Sequence, residues 1–239
     1  MQIYLVQFRA FHLGSGLDWS AIGFNSMPSG IQDGYDYAVQ IKQNWDSSIT
    51  TASRLFQDNR QLLFMPDVEL KHATNFYYAF SECSSLMQIA TDNWDTSSAT
   101  NFNRAFYHCY ALTELPDIDL SGASNISEMF IGCQVTSVPN YNTSSATNMK
   151  SMFANCNKIV DFPILNTSHV TTMQTMFTNC SSLSNDSLNN ILYMCAHTTN
   201  SYTATKTLAY IGLSSAQAAI CQTLSNYSDF TSAGWTTGY

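Results

Sequence analysis

The sequence predicts an α/β solenoid, and three observations predict it: a repeated Phe-x-x-Cys motif, its near-constant spacing, and a strand-like and a helix-like stretch inside every unit. The motif stands at Phe80–Cys83, Phe106–Cys109, Phe130–Cys133, Phe153–Cys156 and Phe177–Cys180, with an earlier copy at Phe56–Asn59. Stepping along these phenylalanines from 56 to 177 gives intervals of 24, 26, 24, 23 and 24 residues. The stretches "SATNFNRAFYHC" (98–109) and "SATNMKSMFANC" (145–156) carry the likeness over twelve positions. A unit of this size cannot bury an apolar face alone, so stacking in series is the physical reading of such a period.

The elements of the unit follow in order. After the cysteine slot comes an aliphatic residue: Leu62, Leu86, Leu112, Val135, Ile159 and Leu183. Three positions later a second apolar residue stands in five copies, at Met65, Ile89, Leu115, Val138 and Phe162. Stretches such as "LTELP" alternate apolar and polar, which predicts a short strand with one buried face. Proline follows at Pro66, Pro116, Pro139 and Pro163 and ends the strand, since it has no N–H for a ladder. An Asp/Asn-Thr-Ser run at 95–97, 142–144 and 166–168 predicts a turn and a helix cap. "ATNMKSMF" places Ala146, Met149 and Phe153 three and four apart, which predicts a short helix. Two irregularities are local: two extra residues near 91–94, and one residue fewer between Cys133 and Val135.

The expected fold is therefore a solenoid of about six coils of 23–26 residues over 48–187, within the period range of leucine-rich repeats. The pattern T-N-M-x-x-M-F-x-x-C-x-x-L-x-x-L-P-x-x-[DN]-T-S resembles the BspA-like leucine-rich repeat, also found in mycoplasma lipoproteins, over roughly residues 46–187. That resemblance implies bacterial surface adhesins and similar proteins, with related repeats in bacteriophage virion proteins, and implies no catalytic motif. Asn59 in the first cysteine slot and Asp186 in place of the sixth second-apolar residue depart from the pattern as end effects.

The flanks read as closures. Residues 1–16 predict a docking strand with apolar residues on both sides, Ile3, Leu5, Phe8 and Phe11 among them, broken by Gly14-Ser-Gly16. Residues 17–47 predict a helical N-terminal cap, with Ile31, Tyr35, Ala38 and Ile41 as the inner stripe of its second helix. Residues 188–239 predict a C-terminal cap. There a helix continues from Ser187 to Cys195, a strand covers 206–211, and a second helix runs from Ser214 to about Leu224.

Composition bounds the function. The chain has 239 residues, enough to bury roughly 70% of its unfolded surface without staples. Charged residues are only 11%, and the net charge of −8 opposes nucleic acid and anionic membrane surfaces. No run of 18 apolar residues spans a membrane, and the N-terminus lacks the basic region and cleavage site of a secretion signal. Of seven cysteines, five share one repeat slot, which predicts a ladder of buried thiols. Vertical disulfides between coils and a metal site are the alternatives.

No H-E-x-x-H, G-x-S-x-G or phosphate-binding glycine loop occurs. His108 beside Cys109 reads as a surface histidine, because adjacent side chains diverge. Asp67, Asp117, Asp119 and Asp161 read as solvated turn residues rather than calcium ligands. Sequons at Asn125, Asn142, Asn166, Asn179, Asn185 and Asn226 are expected in a chain so rich in Asn, Ser and Thr.

The candidate binding site is the outward strand face: Leu63, Phe64, Met87, Gln88, Thr113, Glu114, Thr136, Ser137, Val160 and Asp161. Five strands ~4.8 Å apart present roughly 300 Å² there, against the about 800 Å² per side of a standard interface, so many copies would be needed for firm attachment. The expected function is a non-enzymatic attachment protein without cofactor, a phage virion subunit (tail fibre or decoration), with a bacterial surface adhesin as the alternative. It would bind a host-surface or neighbouring-cell protein or glycan, as a homo-oligomer or within a virion. An enzyme with an unrecognised site is the remaining alternative.

Overall fold

In the repeat, alternate peptide groups point from one turn of the chain to the next. A computed structural model describes residues 50–60, 62–65, 70, 72–91, 94–198 and 206–239. The N–H groups of Phe76, Tyr78, Phe80 and Glu82 donate to the carbonyls of Asn101, Asn103, Ala105 and Tyr107 at 2.7–3.0 Å. On the other side, the carbonyls of Asn75, Tyr77, Ala79 and Ser81 accept from Ala52, Arg54, Phe56 and Asp58. The intervening N–H groups stay local: Ala79, Ser81 and Cys83 each donate three residues back. The same scheme joins 102–108 to 125–131, 126–132 to 148–154, and 149–155 to 172–178. The result is a repeat fold whose turns stack in parallel, bridged in sequence at Asn75, Asn101, Asn125, Asn148 and Thr172.

This corrects the expected helix. Residues 146–153 hold no helix and 150–155 form successive turns, because every second N–H is taken by the neighbouring turn rather than by a carbonyl four residues back. Left-handed residues recur in pairs four apart to make this possible: Arg54 and Asp58, Tyr78 and Glu82, Arg104 and His108, Glu128 and Gly132, Ser151 and Asn155, Thr175 and Asn179. A non-glycine residue pays roughly 1–2 kcal/mol for that conformation. Three or four inter-turn hydrogen bonds per repeat, at about 1 kcal/mol each, offset it.

The polar motif residues hold the turns in register. Asn75, Asn101, Asn125 and Asn148 each accept the N–H two residues on through Oδ1, at 3.0–3.2 Å. The hydroxyls of Thr74, Ser124, Thr147 and Thr171 donate to the equivalent residue one turn earlier. In the Asp/Asn-Thr-Ser run the first residue closes a local turn onto the serine, and the buried threonine reaches across. Thr96 donates to Asp119 O, Thr143 to Asn166 O and Thr167 to Met194 O, at 2.7–2.9 Å. The predicted turn is present and the helix cap is not. Thr143→Val keeps the shape but orphans the Asn166 carbonyl, so it should cost about 1 kcal/mol in a urea melt.

The core is a phenylalanine spine. Phe56, Phe80, Phe106, Phe130 and Phe153 stack at 5.3–5.6 Å between ring centroids, with interplanar angles of 4–22°. Phe162 then inserts edge-on between Phe153 and Phe177, at 5.3 and 5.0 Å. Beside the spine lie the cysteines. All seven are buried free thiols, so no disulfide joins the turns. Cys83, Cys109, Cys133, Cys156 and Cys180 each donate Sγ–H to the carbonyl of the preceding turn's phenylalanine, at 3.0–3.5 Å. The slot therefore wants a small apolar side chain with a weak donor.

Burial pushes these thiols up, to about 12 at Cys180 and about 11 at Cys221. The thiolate is the reactive form, so a thiol-reactive dye at pH 8 should label native protein slowly and all seven cysteines quickly in denaturant. Rapid native labelling of the five slot cysteines would refute the ladder.

Strand pairing is fragmentary. β1 (Phe64–Met65) and β2 (Gln88–Ile89) pair in parallel, Phe64 with Gln88 and Met65 with Ile89. Ser137 bridges Asp161 in parallel, and Val160 N–H bonds Thr136 O. "LTELP", the stretch expected as a strand, is not one: residues 113–117 carry no backbone bond to 88–91 among those described. The Trp94 indole packs against Phe76 and Phe80, at 5.7 and 5.8 Å.

Past the repeats the chain turns helical. α1 (Asn185–Ala196) starts at Ser184, whose hydroxyl accepts the Ser187 N–H. α2 (Leu208–Ile211) replaces the strand expected at 206–211, of which only the Thr207 bridge to Thr236 is strand-like. Its carbonyls at Tyr210 and Ile211 accept from Thr175 and Phe177, continuing the inter-turn ladder. α3 (Ser215–Cys221) begins in a capping box between Ser214 and Gln217, and α4 (Tyr227–Ser232), unforeseen in the sequence, buries Phe230. Residues 1–16 and 17–47, with Ile3, Leu5, Phe8 and Phe11, lie outside the described residues.

Candidate binding surfaces

Two surfaces collect side chains that the fold does not consume. The first is the strand row. Leu63, Met87, Gln88, Thr113, Glu114, Thr136, Ser137, Val160 and Asp161 are exposed, while the alternate Leu62, Met65, Leu86, Leu112 and Val138 are buried. Phe64 lies in β1. Leu63, Met87 and Val160 are 43%, 49% and 40% exposed, high for large apolar residues, and Met87 N–H donates to Leu63 O, which sets the first two side by side. The parting beside 88–91 opens a cleft of about 300 Å³ lined by Gln88, Ile89, Glu114 and Leu115.

Asp117 and Asp119 are exposed turn residues on the neighbouring cleft. Among the described residues no three His, Cys, Asp or Glu side chains converge as a metal site. The Asp95 carboxyl there is held below the usual carboxylate range by the Ser97 hydroxyl and amide.

The second surface lies on the turn-rich side of the first four described repeats. The Arg54 guanidinium sits over the rings of Tyr77 and Tyr78, at 5.6 and 5.7 Å. Arg104 sits over Tyr78 and Tyr107, at 5.2 and 5.3 Å, and donates to the Tyr78 hydroxyl. Its Nε and Nη2 clamp Glu128 Oε2, each at 2.7 Å. His108 Nδ1 lies 2.8 Å from Glu82 Oε1, and Arg60 lies 3.8 Å from Glu82 Oε2. His108 thus faces Glu82 while the Cys109 thiol points into the core, so the two adjacent side chains diverge.

The family model described as "Mycoplasma protein of unknown function, DUF285" matches residues 24–138 and again residues 114–208, most of the chain. The chain belongs to this family. Among solved structures, a leucine-rich repeat protein from Bacteroides ovatus ATCC 8483 is similar, with a TM-score of 0.41 and 22% identity over 55% of this chain. The match covers 32% of that protein, so this chain spans about a third of its length, and so loose a superposition carries no argument. No curated protein matches the sequence.

Within this family member, the strand-row residues described are exposed as the sequence led one to expect, whereas the tyrosine–arginine cluster was not anticipated. A signal existed. Aligned on the spine phenylalanine, the second and third described turns place Tyr77, Tyr78, Arg104, Tyr107 and His108 where the fifth and sixth place Lys150, Ser151, Gln174, Thr175, Ala154, Asn155, Thr178 and Asn179. The later turns fold with mostly small residues at those positions, so the repeat itself does not require tyrosine or arginine there.

Proposed function

We propose that this chain is a non-enzymatic attachment protein: a leucine-rich-repeat solenoid of about six coils with closing caps. It acts at a bacterial cell surface and binds a protein or glycan of a neighbouring or host cell through its strand row. The observation that carries this reading is the adjacent exposed pair Leu63 and Met87, set side by side by the Met87 N–H bond to Leu63 O. Exposed apolar residues placed side by side mark contact surfaces. The family description names mycoplasma proteins, which supports a bacterial over a phage setting. The thiols are buried and protonated, and His108 is engaged with Glu82, which supports a binding role over catalysis.

A face of this size binds weakly one copy at a time, so display in many copies supplies the strength. Beads densely coated with the chain should adhere to immobilised cell-surface proteins or glycans, while the free chain dissociates quickly. Leu63→Asp with Met87→Asp should reduce bead adhesion at least tenfold with an unchanged melting temperature. Adhesion equal to the parent chain would overturn this use of the strand row.

A further inference from the structure

We propose that the tyrosine–arginine cluster is a second binding site, separate from the strand row, and that its ligand is a neutral carbohydrate. Three of the chain's four arginines, Arg54, Arg60 and Arg104, gather here in a molecule of net charge −8. Yet the cluster is not an anion site. Asp58, Glu82 and Glu128 stand among the arginines, and the Arg104 guanidinium is already committed to Glu128 and Tyr78. What remains is a surface rich in paired donors and acceptors with its charges balanced. Such a surface suits hydroxyl groups, which donate and accept at once.

The aromatic part is built as a platform. Tyr107 and His108 lie 3.8 Å apart between ring centroids, and His108 stacks on Tyr110 at 4.9 Å and 22°. Gly132 makes room for this: a Cβ there would stand 2.9 Å from Tyr110 Cε1 and 3.3 Å from His108 Cδ2. Its φ of +80° falls in the left-handed slot that His108 and Asn155 fill in other turns, so backbone geometry alone does not demand glycine. Tyr110 is packed on that side and remains 46% exposed. An aromatic face carries negative potential and attracts the polarised C–H groups of a sugar ring. Flat ring and flanking hydrogen bonders together give the two halves of sugar recognition. Tyr and Arg are also residues that concentrate binding energy at contact surfaces.

The test uses the whole chain, fluorescently labelled and clustered on a multivalent carrier, on an array of neutral, sialylated and sulfated glycans with protein spots beside them. The expected result is binding to a subset of neutral glycans. Tyr110→Ala and Tyr107→Ala should weaken it at least tenfold with an unchanged melting temperature, and Ile220→Asp, at an exposed position on α3 outside both surfaces, should leave it unchanged. Failure of the strand row in bead adhesion would not touch this outcome. Three results overturn the proposal: no glycan bound by the parent chain, binding restricted to anionic glycans, or binding that Tyr110→Ala retains. Loss in Tyr110→Ala of binding to protein spots alone would reassign the cluster to a protein partner.

Discussion

Phe153→Ala should lower the unfolding free energy by about 3–5 kcal/mol, the range for a buried phenylalanine. The ring is fully buried, stacked on Phe130 at 5.6 Å and met edge-on by Phe162 at 5.3 Å. Its removal leaves a hole at the point where the parallel stack gives way to the edge-on triplet. Neighbouring rings are held by the backbone ladder, since Phe153 N–H bonds Met176 O and Met152 O accepts from Phe130. The hole therefore cannot close by a small shift of one turn. Thr136→Ala, on the exposed strand row, should stay within about 0.5 kcal/mol. Urea melts that rank the two in the opposite order would mean that the inside and outside of the turn are exchanged.

That pair of variants also separates what the sequence made legible from what it did not. The spine and the cysteine slot were readable because burial there depends only on spacing. The alternation around Leu62, Leu86 and Leu112 was readable for the same reason. The stretch around Met149 and Phe153 was misread as a helix because a three-and-four spacing fits two structures equally. A helix buries such a stripe, and so does a chain of turns with bonds three residues back, as from Met152 N–H to Met149 O. The arbiter is competition for the backbone. Ser151 N–H goes to Gln174 O in the next turn, and no local pattern shows that neighbour. The abundance of Thr, Ser and Asn, poor helix formers, pointed the right way. "LTELP" was misread for a converse reason. Its alternation is strand-like, but a strand needs a partner in register, and no backbone bond joins 113–117 to 88–91 among the described residues. The tyrosine–arginine cluster left a signal only in the repeat alignment, because its members are scattered from 54 to 128 and meet only when turns stack.

Gly212→Ala should destabilise by about 1–3 kcal/mol more than Gly234→Ala, through backbone overlap at the seam between the last repeat and the helical segment. Both glycines have positive φ, +93° and +83°, so both substitutions incur the left-handed cost of roughly 1–2 kcal/mol. They differ in surroundings. A Cβ on Gly234 meets nothing within 4 Å, whereas one on Gly212 would lie 2.6 Å from the Thr178 backbone nitrogen and 2.9 Å from its Cα. Backbone cannot swing aside as a side chain does, so α2 must lift. Gly212 directly follows Ile211, whose carbonyl accepts the Phe177 N–H at 2.9 Å, two residues after Tyr210 takes the Thr175 N–H at 2.8 Å. Lifting α2 breaks these bonds and opens the end of the apolar stack to water at Met176 and Phe177. Hydrogen exchange should therefore quicken at Thr175 and Phe177 in Gly212→Ala, leave Phe80 and Phe106 protected, and show neither change in Gly234→Ala. Equal costs for the two substitutions, or faster exchange spread evenly over all turns, would mean that the ladder does not end on α2 in the way its hydrogen bonds describe.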